Sequence, residues 1–219
     1  MIRRPDDPIF DYEQRRAAWH SRWAYDPKLP ADIRLRHFEA MERAGIPRRG
    51  PVAKSICIPR ASAAMNTIEL VGEIEQSTAH AFRKALALCD PSRPLQVLID
   101  SQGGSVFAGN SIHDDVASWP GKTIAKIVNA FSAAAHIAQA FSQRIITPSG
   151  YMMVHCPYYE EETTESENRL LAKLRATMAK AIARRSGNSL SAVEKMMTEE
   201  TWLNADDAIR LRLADSIGG

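Results

Sequence analysis

From Asn66 onward, short runs of Ile, Val and Leu alternate with alanine-rich stretches of helical spacing. A strand is expected over 67–70, with Gly72-Glu73-Ile74 leading out of it, and a helix over 77–88. Pro91-Ser92-Arg93-Pro94 breaks the chain before an apolar strand, Leu95 to Ile99, that runs into Asp100. A helix over 108–118 halts at Pro120-Gly121, followed by a strand over 123–128, a helix over 133–141 and strands over 144–147 and 151–155. Parallel neighbours need a long crossover, and here each crossover is helical, so the alternation argues for parallel βαβ units in an α/β fold.

Residues 159–166 are acidic and threonine-rich, an exposed loop by composition. A long helix is expected over 167–185, with Leu170, Leu171, Leu174, Met178 and Ile182 near one face. After Gly187-Asn188, a short helix follows over 190–197. An apolar stripe on a helix of this length serves as an oligomer contact or simply as core.

Residues 1–60 differ from the rest. They hold seven prolines and carry 13 Lys/Arg against 8 Asp/Glu, an excess of five positive charges in a chain whose net charge is +2. Short helices are expected over 12–25 (with Trp19, Trp23 and Tyr25) and over 31–44, the second opened by Pro30 and closed by Gly45. Such an arm docks onto the core, a neighbouring subunit or an acidic partner. The division is thus 1–60, a basic and mostly helical extension, and 61–219, the main domain. The near-neutral balance gives no argument for nucleic acid as a principal partner. Three cysteines (Cys57, Cys89, Cys156) without metal-ligand spacing fit a reduced, cytoplasmic compartment and no metal. No apolar segment behind Met1 resembles a leader, and no run is long enough to span a membrane.

The chemistry-bearing residues come in order. Gly103-Gly104 follow an apolar strand, where paired glycines let the backbone turn its N–H groups outward to hold an oxyanion. Ser132 opens an alanine-rich run and His155 ends an apolar strand, offering a nucleophile and a base. Each has a plainer role when taken singly: a serine there caps a helix, and a histidine there packs in a core. His136, one turn after Ser132, is expected to pack; His113 and Asp114-Asp115 are expected on the solvent side of their helix. Cys156 points away from His155 if both are in one strand.

Four stretches carry a resemblance: Ile99-Asp100-Ser101-Gln102-Gly103-Gly104-Ser105-Val106-Phe107-Ala108-Gly109, Ala130-Phe131-Ser132-Ala133-Ala134-Ala135, Met152-Met153-Val154-His155-Cys156-Pro157, and Glu200-Thr201-Trp202-Leu203-Asn204-Ala205-Asp206-Asp207-Ala208. In this order they resemble the proteolytic subunit of Clp-type proteases, including phage-encoded relatives. The resemblance implies a Clp/crotonase-like fold of repeated ββα/βαβ units with a protruding handle helix, the handle region falling at about 158–198. It implies a serine endopeptidase without cofactor, acting on polypeptides inside a homo-oligomeric ring, with an unfoldase ATPase as a possible partner. Carried over, Ser132 is the nucleophile, His155 the base and Glu200 the acidic third member, while the backbone N–H groups of Gly104 and Ala133 form the oxyanion hole.

The chain departs from the family pattern at several positions. The usual Gly-x-Ala-Ser is Val128-Asn129-Ala130-Phe131-Ser132 here, without the glycine, Gln102 replaces a proline, and Glu200 replaces the usual Asp. A shifted alignment would put the nucleophile position on Ala134. The extension also exceeds the short gating segment of housekeeping members. Two other readings follow: a catalytically inactive scaffold subunit that co-assembles with an active partner, or a crotonase-type acyl-CoA enzyme, which would use carboxylates and gives His155 no task.

Overall fold

The structure is a computed structural model describing residues 59–61, 65–158 and 163–218. The helices expected over 12–25 and 31–44 lie outside these residues. Described in chain order, the elements are β1 (Pro59–Ala61), β2 (Asn66–Ile74), α1 (Gln76–Ala87), β3 (Leu95–Gly104), α2 (Val106–Ala117), β4 (Thr123–Phe131), α3 (Ala133–Ala138), β5 (Gln143–Val154), α4 (Glu165–Ser186), α5 (Leu190–Thr198), β6 (Thr201–Asn204), α6 (Ala205–Arg210) and β7 (Ser216–Ile217). The strands form one sheet in the order β1-β2-β3-β4-β5-β6, with β7 paired to β5 off that path. Neighbours from β2 to β5 are parallel, as the alternation predicts, while β1 and β6 run antiparallel at the two ends.

Strand burial follows the pleat. Along β3, Leu95, Val97, Ile99, Ser101 and Gly103 are buried and the residues between them half-buried, so both faces are covered, unequally. Helices α1, α2 and α3 pack side by side, and α3 is enclosed all round, with every residue from Ala133 to Ala138 buried. A helix apolar on all sides belongs in a core. The close fit is visible at Gly109, where an added Cβ would come 3.1 Å from Ala133 Cβ.

Several elements differ from expectation. β2 and β3 continue to Ile74 and Gly104, so the glycine pair itself belongs to the ladder, Glu73 opposite Gly103 and Ile74 opposite Gly104. A register shift between Val71 and Glu73, at Gly72 with φ 83°, permits this. The two strands expected over 144–155 are one, β5. Ile127 pairs with Ile146 and Asn129 with Tyr151, so β5 bulges over 147–150 without ending. β5 also stops at Val154, leaving His155 just beyond it. α4 covers the expected long helix, opened by a Thr164–Glu167 capping box and closed by Gly187 at φ 69°. Its apolar positions are buried only from Leu174 onward; Leu170 and Leu171 are half-buried. No helix among the described residues is long and apolar enough to cross a membrane.

His113 is not on the solvent side. It is 8% exposed, and its ring stacks on that of His136 at 4.5 Å and 9°. Its Nδ1 meets Asp114 at 3.0 Å, and only Asp114 of the trio is well exposed, since Asp115 turns to Arg83. The helix periodicity was uninformative because α2 is covered by α1 on one side and α3 on the other. His136 packs as expected, with its Nδ1 buried and without a hydrogen-bond partner.

This arrangement makes stability depend on pH. Burial, reinforced by the charge of His113 and opposed by Asp114, pushes the His136 pKa down to about 3. The folded protein therefore keeps His136 neutral where the unfolded chain, titrating near 6.5, takes up a proton. Stability is fully present above about pH 6.5 and declines as pH falls toward 3, by up to about 1.4 kcal/mol per pH unit. Urea unfolding at pH 7.5 and pH 5 (about one and a half units' worth of loss at most) should show this decline in the wild type and a smaller one in His136→Phe. Equal slopes in the two proteins would refute it.

Candidate active site

Ser132 occupies the turn between β4 and the buried helix α3. The pairing of Phe131 with Met153 and the bond from Ser132 N to Met153 O (2.8 Å) fix its backbone against β5. Its φ of 55° and ψ of −120° lie outside the regions that a residue with a side chain ordinarily adopts. Strain of this kind persists where the surroundings impose it. The Ser132 hydroxyl makes no capping bond to α3. It stands 2.6 Å from His155 Nε2 instead. Ala134, the position a shifted alignment would select, is wholly buried inside α3.

His155 follows β5 directly. The Cys156 N–H is fixed on Met197 O at 3.0 Å, and the Tyr158 ring meets the imidazole edge-on at 5.5 Å. Burial lowers the His155 pKa below its ordinary value, against the opposing charge of Glu200. The imidazole is therefore neutral at pH 7, with Nε2 open to the hydroxyl proton of Ser132 when the ring proton is on Nδ1.

Glu200 reaches the site through the sheet. β5 and β6 pair from Tyr151 with Asn204 to Val154 with Thr201, and His155 and Glu200 are the residues immediately beyond that last pair. Helix α5 ends at Thr198 with Glu199 as its cap, so Glu200 takes the left-handed position that usually falls to glycine, with φ 49°. Its charge favours imidazolium at His155, but no hydrogen bond joins the two among the described residues. Oε1 accepts from the Trp202 indole Nε1 at 3.1 Å.

Gly103 and Gly104 adopt φ of 93° and 144°. A Cβ on Gly103 would lie 2.5 Å from Phe131 O, 2.7 Å from Ser132 Cβ and 3.1 Å from Ala133 N. The glycine turn and the serine turn thus touch backbone to backbone. Ser105 N donates to Ile74 O at 2.7 Å. The Ala133 N–H, in the first turn of α3, is one of those a helix leaves without an internal partner. Ser101, which no sequence motif singles out, anchors this loop. It is buried, donates to Gly72 O at 2.5 Å, and accepts from Gly103 N at 3.1 Å. Trp202 likewise stands out in sequence only as a family motif position. In each case the clue is a polar atom whose partner is known only once the strands are paired.

Gly103→Ala is expected to push the Ser132 turn out of line, since the atoms it strikes are backbone. A displacement near 1 Å costs on the order of 100-fold in turnover. Hydrolysis of a fluorogenic peptide by a still-folded variant checks this; unchanged turnover would show that the two turns do not need their close contact.

A mixed sheet with a parallel centre, closed by glycines at the strand end beside a strained serine that contacts a histidine, is the Clp/crotonase-like fold. The Clp protease family pattern matches residues 56–219, and the chain belongs to that family of peptidases. It is 27% identical over 154 residues to the ATP-dependent Clp protease proteolytic subunit 1 of Chlamydia muridarum, covering 65% of this chain and 80% of that protein. A proteolytic subunit 1 of Protochlamydia amoebophila is 24% identical over 152 residues, covering 64% of this chain and 74% of the relative. Among solved structures, a point mutant of the Clp proteolytic subunit 1 from Listeria monocytogenes superposes with a TM-score of 0.65 at 27% identity, covering 69% of this chain and 90% of that one.

Proposed function

We propose that the chain is a serine endopeptidase in which Ser132 is the nucleophile, His155 the general base and Glu200 the acidic member. The observation that carries this reading is the 2.6 Å contact between Ser132 Oγ and His155 Nε2, made by a serine held at φ 55°. Oγ attacks the peptide carbonyl as its proton passes to Nε2. The N–H groups of Gly104 and Ala133 receive the oxyanion, and the Glu200 charge stabilises the imidazolium that forms. His155 then protonates the leaving amine, and water hydrolyses the acyl-enzyme through the same base.

Assembly into a ring enclosing the sites is the companion proposal, supported by the half-buried Leu170 and Leu171 on the outer turns of α4. An ATPase that feeds substrate is suggested by the names of the relatives, and the free thiols of Cys89 and Cys156 fit a reducing cytoplasm. Residues 1–60 are proposed as a separate arm that contacts the core or a neighbour. A catalytically silent scaffold subunit is the second reading, favoured by the lack of a direct bond between Glu200 and His155. Labelling with a fluorophosphonate, with the modified peptide mapped by mass spectrometry, separates the two. Labelling of Ser132 that is absent in Ser132→Ala supports the peptidase; an assembled, folded protein that takes no label is a scaffold.

A further inference from the structure

We infer that Trp202 is a positioning residue for the acidic member: its indole N–H holds Oε1 of Glu200 and so turns the other oxygen, Oε2, toward His155 Nδ1. This deepens the peptidase reading and rests on it.

Three observations carry it. First, the sheet register sets Phe131, Met153 and Trp202 in one row across β4, β5 and β6. The Ser132 turn directly follows Phe131, while His155 and Glu200 lie two residues from Met153 and Trp202, just past the Val154–Thr201 pair. Met153 is wholly buried, and the Phe131 and Trp202 rings lie with centroids 5.0 Å apart. Trp202 is therefore packed against the residue that immediately precedes Ser132, and its position is tied to that of the nucleophile.

Second, Glu200 lies in the left-handed turn just before β6, and from there its carboxylate meets the indole of Trp202 two residues on. Their bond is 3.1 Å, and it is the hydrogen bond made by this carboxylate among the described residues. A carboxylate has two oxygens and can bond to two donors at once. One is satisfied by the indole, and Oε2 remains for the imidazole.

Third, glutamate is one methylene longer than the Asp usual at this position and has one more torsion to fix. An unrestrained Glu200, on a backbone already in the left-handed region at φ 49°, would spread its charge over several rotamers. A donor held at fixed distance two residues on removes that freedom. Phenylalanine in place of Trp202 would preserve the ring packing but supply no donor.

The test is the titration of His155, followed by NMR of histidine-labelled protein, together with the rate of fluorophosphonate labelling at Ser132 against pH. Trp202→Phe is expected to lower the His155 pKa, shift the acid limb of the labelling profile downward in pH, and slow labelling by about 10-fold near neutrality. Glu200→Gln should lower the His155 pKa as far or further. Adding Glu200→Asp to Trp202→Phe should restore part of both, because the shorter side chain needs no tether; a purely structural role for the indole would show no such rescue. An unchanged His155 titration in Trp202→Phe, with Glu200→Gln still effective, would overturn the inference, as would a titration that neither variant moves. The NMR readout does not require activity. Wild-type protein that takes no label while Trp202→Phe still shifts His155 would reject the peptidase reading and leave the positioning role standing.

Discussion

Ser132→Ala is expected to lower peptide hydrolysis by about 10⁴–10⁶-fold and to leave the fold intact. The loss is that large if the hydroxyl bonded to His155 at 2.6 Å is the proposed nucleophile, whereas the N–H groups of Gly104 and Ala133, proposed as the oxyanion hole, would persist and keep the residual rate above that of water. The same position carries a second consequence. At φ 55° and ψ −120° any side chain is strained, and the hydroxyl is not recovered as a helix cap. Glycine is relaxed in that region, so Ser132→Gly should be more stable than Ser132→Ala by about 1 kcal/mol, although both are inactive. Turnover of a fluorogenic peptide and urea midpoints measure the two effects separately. Full activity in Ser132→Ala would move the nucleophile elsewhere. A glycine variant no more stable than the alanine variant would mean that the turn stores no strain.

That turn also shows how much of the site could be read from residues in order. The strand, glycine pair, serine and histidine follow from hydrophobic runs and punctuation, since each is local: a run of Ile and Val, two glycines, a block of alanines. The parallel sheet follows too, because helical crossovers leave few alternatives. What was hidden depends on pairing at a distance. β6 is four residues long, too short to show alternation, yet its pairing with β5 is what brings Glu200, just before it, near His155, just after β5. Gly103 and Gly104 suggest a free turn, and only the bulge at Gly72 lets them remain in the ladder. His113 looks solvent-facing beside two aspartates until α1 and α3 close over its helix. The same blindness covers Arg144, which in sequence is an arginine at the start of a strand.

In the structure Arg144 is 1% exposed, and removing it is expected to cost about 3–5 kcal/mol. The guanidinium lies on Asp215, with Nε 3.1 Å from Oδ2 and Nη2 2.6 Å from Oδ1, and its Nη1 donates to Gln139. The Arg144 backbone N–H reaches the same carboxylate at 2.7 Å, and Arg185 of α4 adds a third side-chain bond at 2.9 Å. Gln139 in turn donates to Ala135 O and Leu213 O, so one buried ion joins α3, the start of β5, the end of α4 and the approach to β7. Burial alone would raise the Asp215 pKa, but the hydrogen bonds and charge of Arg144, with the charge of Arg185, hold it below the usual carboxylate range. The pair therefore contributes stability above the ordinary titration of an aspartate, and that contribution is lost as pH falls through the lowered value. Arg144→Met should leave Asp215 with too little compensation and Gln139 without its donor; its thermal midpoint should fall well below the wild type and change less with acid. Arg144→Met with Asp215→Asn should recover part of the loss, since the unpaired charge has gone. The exposed pair of Arg169 and Glu165 on α4 is the contrast: with both side chains mostly in water, Arg169→Ala should cost no more than about 0.5 kcal/mol. If both arginine variants shifted the midpoint equally, burial would not be what gives Arg144 its weight.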